Sequence, residues 1–409
     1  MKYLTVVYDG MADLKIPALG DRTPMEAANK PYLDMLSRAS HVGTVCNVPS
    51  GMVPESDTAN LAILSYDPRT YSKGRSPLEA MSMGLTMQPE DTALRCNLVA
   101  LSDDDAPYEE KLMLDHSADE ISTEEADLLI RALNEKLADD VRTLYTGISY
   151  RHCLLWKNAD DTYNFARPHD IIGKKISPYL PQGELGAPFL KFMKDSYVIL
   201  KDHPVNIERR RRGMAAANSA WLWSPGKKPA LPSFYDKWGL NGTVISAVDL
   251  IKGIGICAGM ETVDVEGATG NVHTNFRGKA DAAIDAFRRG RDYVYIHVEA
   301  PDECGHRAEI ENKVLSIEKI DSEILSPVCE YLRATGEAYR VLVLPDHPTP
   351  CAIRTHTSDP VPFMIYESDK AHMGITPFTE ENAAACRRHL SDGTDLMEIF
   401  LGKKPQISS

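Results

Sequence analysis

The sequence predicts an α/β protein with a doubly wound core sheet that is interrupted by a smaller inserted α+β domain. Three apolar runs carry this prediction, and each leads into an aspartate: LTVVYDG near the N-terminus, DYVYIHVEAPD at 292–302 and AYRVLVLPDH at 338–347. Continuous apolar runs of this length are typical of buried parallel strands. A stripe of apolar residues at helical spacing from 314 to 328 separates the last two runs, so strand and helix alternate as this fold class requires.

Each element of the core has its own local signature. The first strand, LTVVY, leads directly to Asp9, and a helix is predicted to begin near Ser56 in GMVPESDTANLAIL, where small and apolar residues follow a Ser-Asp-Thr start. The runs before Asp302 and Asp346 are rich in β-branched and aromatic residues, which favour strands. The segment VPFMIYE at 361–367 is predicted to be a further strand for the same reason.

The block from 95 to 216 has a different character. CNLVALSDD predicts a strand, ISTEEADLLIRALNEKLA predicts a helix that begins with a capping box from Ser122 to Glu125, and YRHCLLWKN predicts a second strand. The tract ARPHDIIGKKISPYLPQGELGAP is rich in proline and glycine, which is typical of a functional or connecting loop. We therefore expect residues 1–94 and 217–409 to form the core and residues 95–216 to form the inserted domain.

Composition restricts the partners of this protein. The 409 residues include 45 basic and 59 acidic side chains, which gives a net charge of -14 and predicts neither nucleic acid nor a membrane as partner. A small metabolite is expected instead, and if it is an anion a bound divalent cation must offset the repulsion. The eight scattered cysteines fit reduced thiols, and no apolar run or signal peptide directs the chain to a membrane, so we expect a cytoplasmic protein.

Carboxylates and an imidazole follow the predicted strands. Asp9 and Asp302 each follow one strand, and Asp346 and His347 follow a third. Open α/β sheets bind ligands beyond the carboxyl ends of their strands, so these side chains are expected to meet in space. Each aspartate taken alone is more often a turn former or a helix cap.

Two further histidines strengthen the prediction of a metal site. In DECGH, His306 lies four residues after Asp302, which places both on one face of a helical turn, although a solvated helical pair fits that spacing equally well. His356 lies shortly after Asp346 in a segment too rich in proline and threonine to be a core helix. The grouping in this loop favours metal ligation.

Ser56 is the candidate nucleophile. It lies at or beside the predicted helix N-terminus, where amide groups and the helix dipole favour negative charge. A helix cap is the commoner use of serine at such a position. Beside a metal ion, however, the same hydroxyl becomes able to act as a nucleophile.

Seven motifs that run in order along nearly the whole chain carry a family resemblance: YDGMAD, PESDTANLAILSYDP, VDLIKGIG, GATGN, HVEAPDECGH, LPDHPTP and RTHTSDPVPF. Together they resemble the cofactor-independent phosphoglycerate mutases of the archaeal type, which belong to the alkaline phosphatase superfamily of binuclear metalloenzymes. The resemblance implies an alkaline-phosphatase-like core and a phosphoserine intermediate on Ser56. It also implies a glycolytic isomerase that interconverts 3-phosphoglycerate and 2-phosphoglycerate without 2,3-bisphosphoglycerate.

The resemblance further implies two sets of metal ligands. One ion would be held by Asp302, His306 and His356, and the other by Asp9, Ser56, Asp346 and His347. Ligands of oxygen and nitrogen type suit manganese, magnesium or zinc, and carboxylates in both sets favour manganese or magnesium.

The inserted domain is expected to close over the site and exclude water between two transfers of the phosphoryl group. Arginine and histidine side chains there would bind the carboxylate and phosphate of the substrate, and the candidates are Arg95, Arg151, His152, His169 and Arg209. For most of the run from 209 to 212, a solvated helix face is the alternative interpretation.

Two other reactions fit the same metal ligands. At HSADEI the chain has His116 and Ser117, where archaeal mutases carry paired arginines, and this pattern resembles a bacterial subgroup proposed to phosphorylate homoserine. A metal-dependent phosphomonoesterase would use the same seven ligands and release phosphate. A non-catalytic binding module would be expected to lack at least one of the seven, and all are present.

Overall fold

In the computed structural model, which describes residues 1–405, the chain divides into two compact units. The first unit combines Met1–Ser72 with the chain from Ala230 onward, and the second is Lys73–Pro229. The strands of the described chain are β1 (Lys2–Tyr8), β2 (Ser40–Val45), β3 (Asp91–Leu101), β4 (Met113–Asp115), β5 (Arg142–Ile148), β6 (Arg151–Lys157), β7 (Ser219–Lys227), β8 (Gly242–Ile245), β9 (Glu261–Val263), β10 (Tyr293–Val298), β11 (Tyr339–Leu344), β12 (Val361–Glu367) and β13 (His389–Leu390).

The α-helices of the same residues are α1 (Pro24–Ala27), α2 (Pro31–Arg38), α3 (Ser56–Ile63), α4 (Pro68–Tyr71), α5 (Ser76–Ser82), α6 (Thr123–Leu137), α7 (Gly183–Leu200), α8 (Pro204–Arg211), α9 (Phe234–Trp238), α10 (Asp249–Cys257), α11 (Phe276–Arg288), α12 (Ala300–Arg307), α13 (Ile310–Lys319), α14 (Ser326–Thr335), α15 (Glu380–Ala385) and α16 (Leu396–Phe400). None of the described helices is long and apolar enough to cross a membrane.

The first unit is built on an eight-stranded sheet with the order β13-β2-β12-β11-β1-β10-β8-β9. At its centre, β1 pairs in parallel with both β10 and β11, so that Val7 lies opposite His297 on one side and Leu344 on the other. The carboxyl ends of these three strands therefore lie side by side. Strand β12 is antiparallel to both β11 and β2, which makes the sheet mixed. This large central sheet with its helices confirms the predicted α/β fold class.

The apolar stripe predicted between β10 and β11 packs into the core of this sheet. Ile317, Ile320, Ile324 and Val328 are fully buried. The helix is not continuous, because α13 ends at Lys319 and a π-helical segment spans Ile320–Leu325 before α14 begins. Within that segment the carboxylate of Asp321 accepts the backbone amides of Tyr32 and Leu33, so it caps the start of α2.

The second unit contains an antiparallel sheet with the order β4-β3-β6-β5, and β7 also pairs with β3. Helices α6 and α7 supply apolar residues to its own core, which includes Leu94, Leu129, Trp156, Phe189 and Trp221. Ser122 accepts the backbone amide of Glu125 at 3.2 Å and so caps α6, but the predicted capping box is incomplete because the Glu125 side chain does not return to the Ser122 amide. The carboxylate of Glu125 bonds Arg209 and Arg212.

The expected boundaries at 95 and 216 both fall inside the second unit. Strand β3 begins at Asp91, and its pairing with β7 extends the sheet to Lys227. A boundary at 95 would cut β3, and α5 packs on the same two strands. The proline- and glycine-rich tract was predicted to be a loop up to Pro188. In the structure the loop ends before Gly183, where α7 begins, and Pro188 lies inside that helix.

Candidate metal centre and nucleophile

Asp302, His306 and His356 form one group of potential ligands beyond the carboxyl end of β10. Asp302 lies in the first turn of α12, with Nε2 of His306, one turn later, 3.3 Å from its Oδ2. Nε2 of His356 lies 3.2 Å from Oδ1 of the same carboxylate, and the two Nε2 atoms are 2.9 Å apart. Three potential ligand atoms thus converge from two segments of the chain.

The opposite ring nitrogens of both histidines are held by backbone carbonyls. Nδ1 of His306 donates to the carbonyl oxygen of Arg354 at 3.0 Å, and Nδ1 of His356 donates to that of Pro54 at 2.7 Å. In the neutral rings, the two Nε2 atoms therefore carry lone pairs that face each other and a carboxylate. Such an arrangement requires a proton or a cation between them, and the Nδ1–carbonyl bonds are those that orient metal-binding histidines.

Asp9, Ser56, Asp346 and His347 form the adjoining group. Nε2 of His347 lies 3.2 Å from Oγ of Ser56, 3.7 Å from Oδ1 of Asp9 and 3.6 Å from Oδ2 of Asp346. The ring of His347 also stacks on that of His356, with 3.9 Å between the ring centroids. Ligand atoms of Asp302, His347 and His356 all lie within 4.8 Å of one another, so His347 is close to both groups. The structure thus brings all seven predicted ligands into one cluster, with His347 between the two groups.

Ser56 is the first residue of α3, and Glu55 occupies the N-cap position without a side-chain cap. The interpretation of Ser56 as a helix cap is therefore wrong, because its hydroxyl contacts His347 instead. One turn later, the side-chain nitrogen Nδ2 of Asn60 donates to the backbone carbonyl oxygen of Ser56 and to Oδ2 of Asp346, each at 2.8 Å. These bonds fix the start of α3 beside the cluster, where the helix N-terminus favours an anion.

The charges of the cluster fit a divalent cation. Burial, with the charges of Asp346 and Asp302, raises the pKa of Asp9 well above its usual range. Burial alone would also raise the pKa of Asp302 and Asp346, but neighbouring histidines hold both below their usual values. Oδ1 of Asp9 is fully buried and accepts no hydrogen bond. A cation here would replace the proton that the crowded carboxylates otherwise need.

Thr349 links the two groups of potential ligands. Its hydroxyl donates to Oδ1 of Asp302, so it accepts the Nδ1 hydrogen of His347 at 3.3 Å and leaves Nε2 of that ring as the free ligand atom. The position of the Thr349 hydroxyl requires glycine at residue 10, which has φ +63°. A Cβ at that residue would lie only 2.5 Å from the hydroxyl oxygen. Lys313 holds the Thr349 carbonyl oxygen at 2.8 Å.

We predict that Thr349→Val weakens the affinity for divalent metal about 10–100-fold, because valine keeps the shape of threonine but orients neither ligand. Thr349→Ser keeps the hydroxyl and is the matched control, with affinity within a few-fold of wild type. Calorimetric titration of the metal-stripped proteins with Mn²⁺ measures both. Equal affinities for the two variants would exclude this role of the hydroxyl.

The protonation of His306 gives a pH-dependent prediction for metal-free protein. Its bond to Asp302 raises its pKa to about 9, from about 6.5 in an unfolded chain. Its contribution to stability is therefore fully present below about pH 6.5 and is lost as pH rises through about 9. We expect His306→Gln to lower the free energy of unfolding at pH 6 and to have a smaller effect near pH 10. Urea unfolding in EDTA measures this, and a pH-independent difference would contradict it.

Sequence reasoning missed residues that contact the predicted ligands or support such a contact. His297, in β10, lies with Nε2 3.1 Å from Oδ2 of Asp9. The others are Asn60 and Thr349, described above, and Tyr295, whose hydroxyl donates to Oδ1 of Asn60. Asn60 lies one helical turn after Ser56, so its proximity to Ser56 could have been predicted from the sequence. The contact between His297 and Asp9 joins β10 to the end of β1, and a single sequence does not indicate such a contact.

Three of the five predicted substrate-binding residues are linked by aromatic contacts within the second unit. Cζ of Arg95 lies over the ring of Trp223, 4.6 Å from its centroid. The ring of His169 contacts the same indole, with 5.7 Å between the ring centroids. Arg151 stacks on Tyr150 at 5.2 Å. His116 connects the two sets, since its ring contacts those of Tyr150 at 5.4 Å and His169 at 6.1 Å.

The other two predicted substrate-binding residues are buried among structural partners. His152 accepts the backbone amide of Gly147 at 3.2 Å, and burial lowers its pKa to about 4. Arg209 is fully buried, with its guanidinium bonded to Glu125 and to the carbonyl oxygens of Ala118 and Ala215. These contacts favour a role in the core of the second unit.

The sheet, the strand-end cluster and the helix-terminal serine together describe an α/β enzyme of the metal-dependent phosphoryl-transfer class. A family model described as 2,3-bisphosphoglycerate-independent phosphoglycerate mutase matches residues 37–206. A probable mutase of this name from Geobacter sulfurreducens is 42% identical, over 98% of this chain and 100% of the relative. One from Methanosarcina mazei is 44% identical, with the same coverage. The chain belongs to the family of 2,3-bisphosphoglycerate-independent phosphoglycerate mutases, which confirms the resemblance found in its motifs.

Solved structures agree with this assignment. A protein from Pyrococcus horikoshii superposes with a TM-score of 0.80 at 26% identity, over 100% of this chain and 99% of the other. The cofactor-independent phosphoglycerate mutase from Thermoplasma acidophilum superposes with a TM-score of 0.68 at 25% identity, over 98% and 99% of the two chains. The similarity thus extends over both units.

Proposed function

We propose that this chain is an isomerase that interconverts 3-phosphoglycerate and 2-phosphoglycerate through a phosphoserine at Ser56. One observation supports this most directly. Ser56 is the first residue of α3, and its hydroxyl lies 3.2 Å from Nε2 of His347 within a partly buried cluster of carboxylates and imidazoles. The curated relatives that match nearly the whole chain carry the name of this activity.

The proposed reaction has two transfers. In the first, Oγ of Ser56 attacks the phosphorus of 3-phosphoglycerate, the bond to the substrate oxygen breaks, and glycerate remains bound with a new hydroxyl. In the second, the 2-hydroxyl of glycerate attacks the phosphoserine and the serine hydroxyl is restored. The N-terminus of α3 stabilises the negative charge of the phosphoserine.

Two divalent ions would be held by the two groups of ligands. Asp302, His306 and His356 would hold one, and Asp9, Ser56, Asp346 and His347 the other. When bound, these cations would lower the pKa of the serine hydroxyl and offset the charge of the phosphoryl group. Manganese or magnesium fits the carboxylates, and zinc fits the imidazoles. No 2,3-bisphosphoglycerate is required, because the serine itself carries the phosphoryl group.

We further propose that Arg151 binds the substrate carboxylate. Its side chain is exposed, and no carboxylate within the described residues lies at ion-pair distance from it, whereas Arg95 is paired with Glu79. Arg151→Ala is expected to raise KM about tenfold or more with a smaller change in kcat, because a uniform binding contact is lost. Steady-state kinetics with 3-phosphoglycerate test this, with Arg131→Ala on the exposed face of α6 as control. An unchanged KM would remove Arg151 from substrate binding.

Phosphorus NMR of the metal-loaded protein tests the proposed function. With 3-phosphoglycerate, the signal of 2-phosphoglycerate should grow to a constant ratio without accumulation of inorganic phosphate. Net release of phosphate at a comparable rate would instead identify a phosphomonoesterase. If a protein with both ions bound gives neither the 2-phosphoglycerate signal nor the phosphate signal, both activities are excluded.

Phosphorylation of homoserine remains the alternative, and one feature of the second unit favours it. His116 and Ser117 occupy the positions where archaeal mutases carry paired arginines, and the carboxylate of Asp115 accepts the backbone amides of Ser117 at 2.9 Å and Asp119 at 2.6 Å. An acidic group in this segment suits the ammonium of an amino acid. Incubation with homoserine and ATP or another phosphoryl donor tests this, and phosphohomoserine formed faster than 2-phosphoglycerate would favour it.

A cytoplasmic location stays a prediction.

A further inference from the structure

His297 is a buried polar residue that the proposed reaction does not use. It lies in β10, opposite Val7 of β1, and its side chain is fully inaccessible to solvent. Its Nδ1 lies 3.3 Å from Oγ of Ser246, and Lys279 donates to its carbonyl oxygen at 3.0 Å. The backbone and one side of the ring are thus fixed.

The other side of the ring faces Asp9 without forming a hydrogen bond. Nε2 of His297 lies 3.1 Å from Oδ2 of Asp9, but the two atoms do not have the alignment of a hydrogen bond, and Nε2 has no other partner. Oδ1 of Asp9 also lacks a partner. Buried polar atoms are nearly always paired, so two unpaired atoms on these neighbouring side chains, Nε2 of His297 and Oδ1 of Asp9, indicate a missing ligand.

The distances around Asp9 fit a single cation. One ligand atom each from Asp9, His297 and Asp346 lies within 4.8 Å of the others, and all three residues are buried. Bonds of roughly 2.0–2.2 Å from a metal to nitrogen or oxygen place two of its ligands about 3–4.4 Å apart. The 3.1 Å separation of Nε2 and Oδ2, which form no hydrogen bond, therefore falls in the range expected for neighbouring ligands of one ion.

Asp9 has an imidazole beside each of its oxygens. Nε2 of His347 is 3.7 Å from Oδ1, and Nε2 of His297 is 3.1 Å from Oδ2. Ser246 can accept the Nδ1 hydrogen of His297, as Thr349 does for His347, and this leaves each Nε2 as the ligand atom. The two histidines thus stand in equivalent relations to one carboxylate.

We propose that Nε2 of His297 is a ligand of the divalent ion that Asp9 and Asp346 hold. This inference rests on the proposed function only in using the same centre, and it adds a residue that the seven predicted ligands do not include. A second imidazole enriches this ion's surroundings in nitrogen.

His297→Gln separates ligation from hydrogen bonding, because glutamine places an amide donor near the position of Nε2 but is a poor metal ligand. Calorimetry of metal-stripped protein with Mn²⁺ should show two ions per wild-type chain and one tight ion in the variant, with affinity for the second lowered more than about 100-fold. His273→Gln, at an exposed position of the same unit, should bind like wild type. Affinities within about threefold of wild type in His297→Gln would show that the ring only donates to Asp9 and would overturn the proposal.

A crystal of wild-type protein soaked in MnCl₂ gives a test that does not depend on folding of a variant. The anomalous difference map should contain a peak within about 2.5 Å of Nε2 of His297. Peaks only at the other ligands would overturn the inference while leaving two-ion catalysis intact. Two ions with one at His297, in a protein that does not convert 3-phosphoglycerate, would instead refute the proposed function alone.

Discussion

Ser56→Ala is expected to abolish phosphoenzyme formation and to lower kcat at least about 10⁴-fold, because the variant lacks the only oxygen that accepts the phosphoryl group in the proposed reaction. The fold should be kept, since the Ser56 hydroxyl does not cap α3 and the bond from Asn60 uses the backbone carbonyl oxygen. The thermal midpoint is therefore expected to change little.

Rapid-quench kinetics and circular dichroism measure these two expectations. Ser322→Ala is the matched control, because that serine is exposed and its hydroxyl bonds only the backbone carbonyl oxygen of Glu318, four residues earlier. It should turn over like wild type. Residual turnover of Ser56→Ala near the wild-type rate would exclude Ser56 as the nucleophile and leave the metal cluster without its proposed role.

Asp302→Asn is expected to remove one metal ion per chain and to lower kcat more than about 10³-fold. Asparagine keeps the shape of the side chain but removes the charge that both His306 and His356 face at 3.2–3.3 Å. It also replaces an oxygen that accepts from Thr349. Metal content and activity should therefore fall together.

Elemental analysis after dialysis against limiting Mn²⁺ measures the ion count, and the activity assay runs on the same samples. Asp285→Asn, at an exposed position near the end of α11, is the control for the loss of one negative charge. It should keep both ions. Full metal content in Asp302→Asn would show that this carboxylate is not a ligand, whatever happens to the rate.

The core of the fold was predictable because its strands leave a strong local signal. β1, β10 and β11 are continuous apolar runs, and a parallel central strand must be buried on both faces. The antiparallel direction of β12 has no such signal, since strand direction depends on connections and pairing. The start of the second unit was missed because α5 joins it only through packing on β3 and β7.

The three predicted aspartate ligands met in space because the order of the strands in the sheet brings them together. Asp9, Asp302 and Asp346 follow three neighbouring parallel strands, so their order in the sheet fixes their proximity. His297 was missed because it lies inside β10, where a buried histidine in an apolar run resembles a core residue. Arg209 was placed with the substrate because a run of arginines reads as a surface feature, whereas its burial depends on Glu125, 84 residues earlier.

The central claim is that Ser56 accepts the phosphoryl group with the help of bound divalent ions. Wild-type protein can be mixed with 3-phosphoglycerate labelled on phosphorus, quenched in acid within one turnover and digested for peptide mapping. We expect the label on the peptide that contains Ser56 when the protein is loaded with Mn²⁺, and no label after treatment with EDTA. Label on a different residue, or full turnover of EDTA-treated protein, would contradict the account.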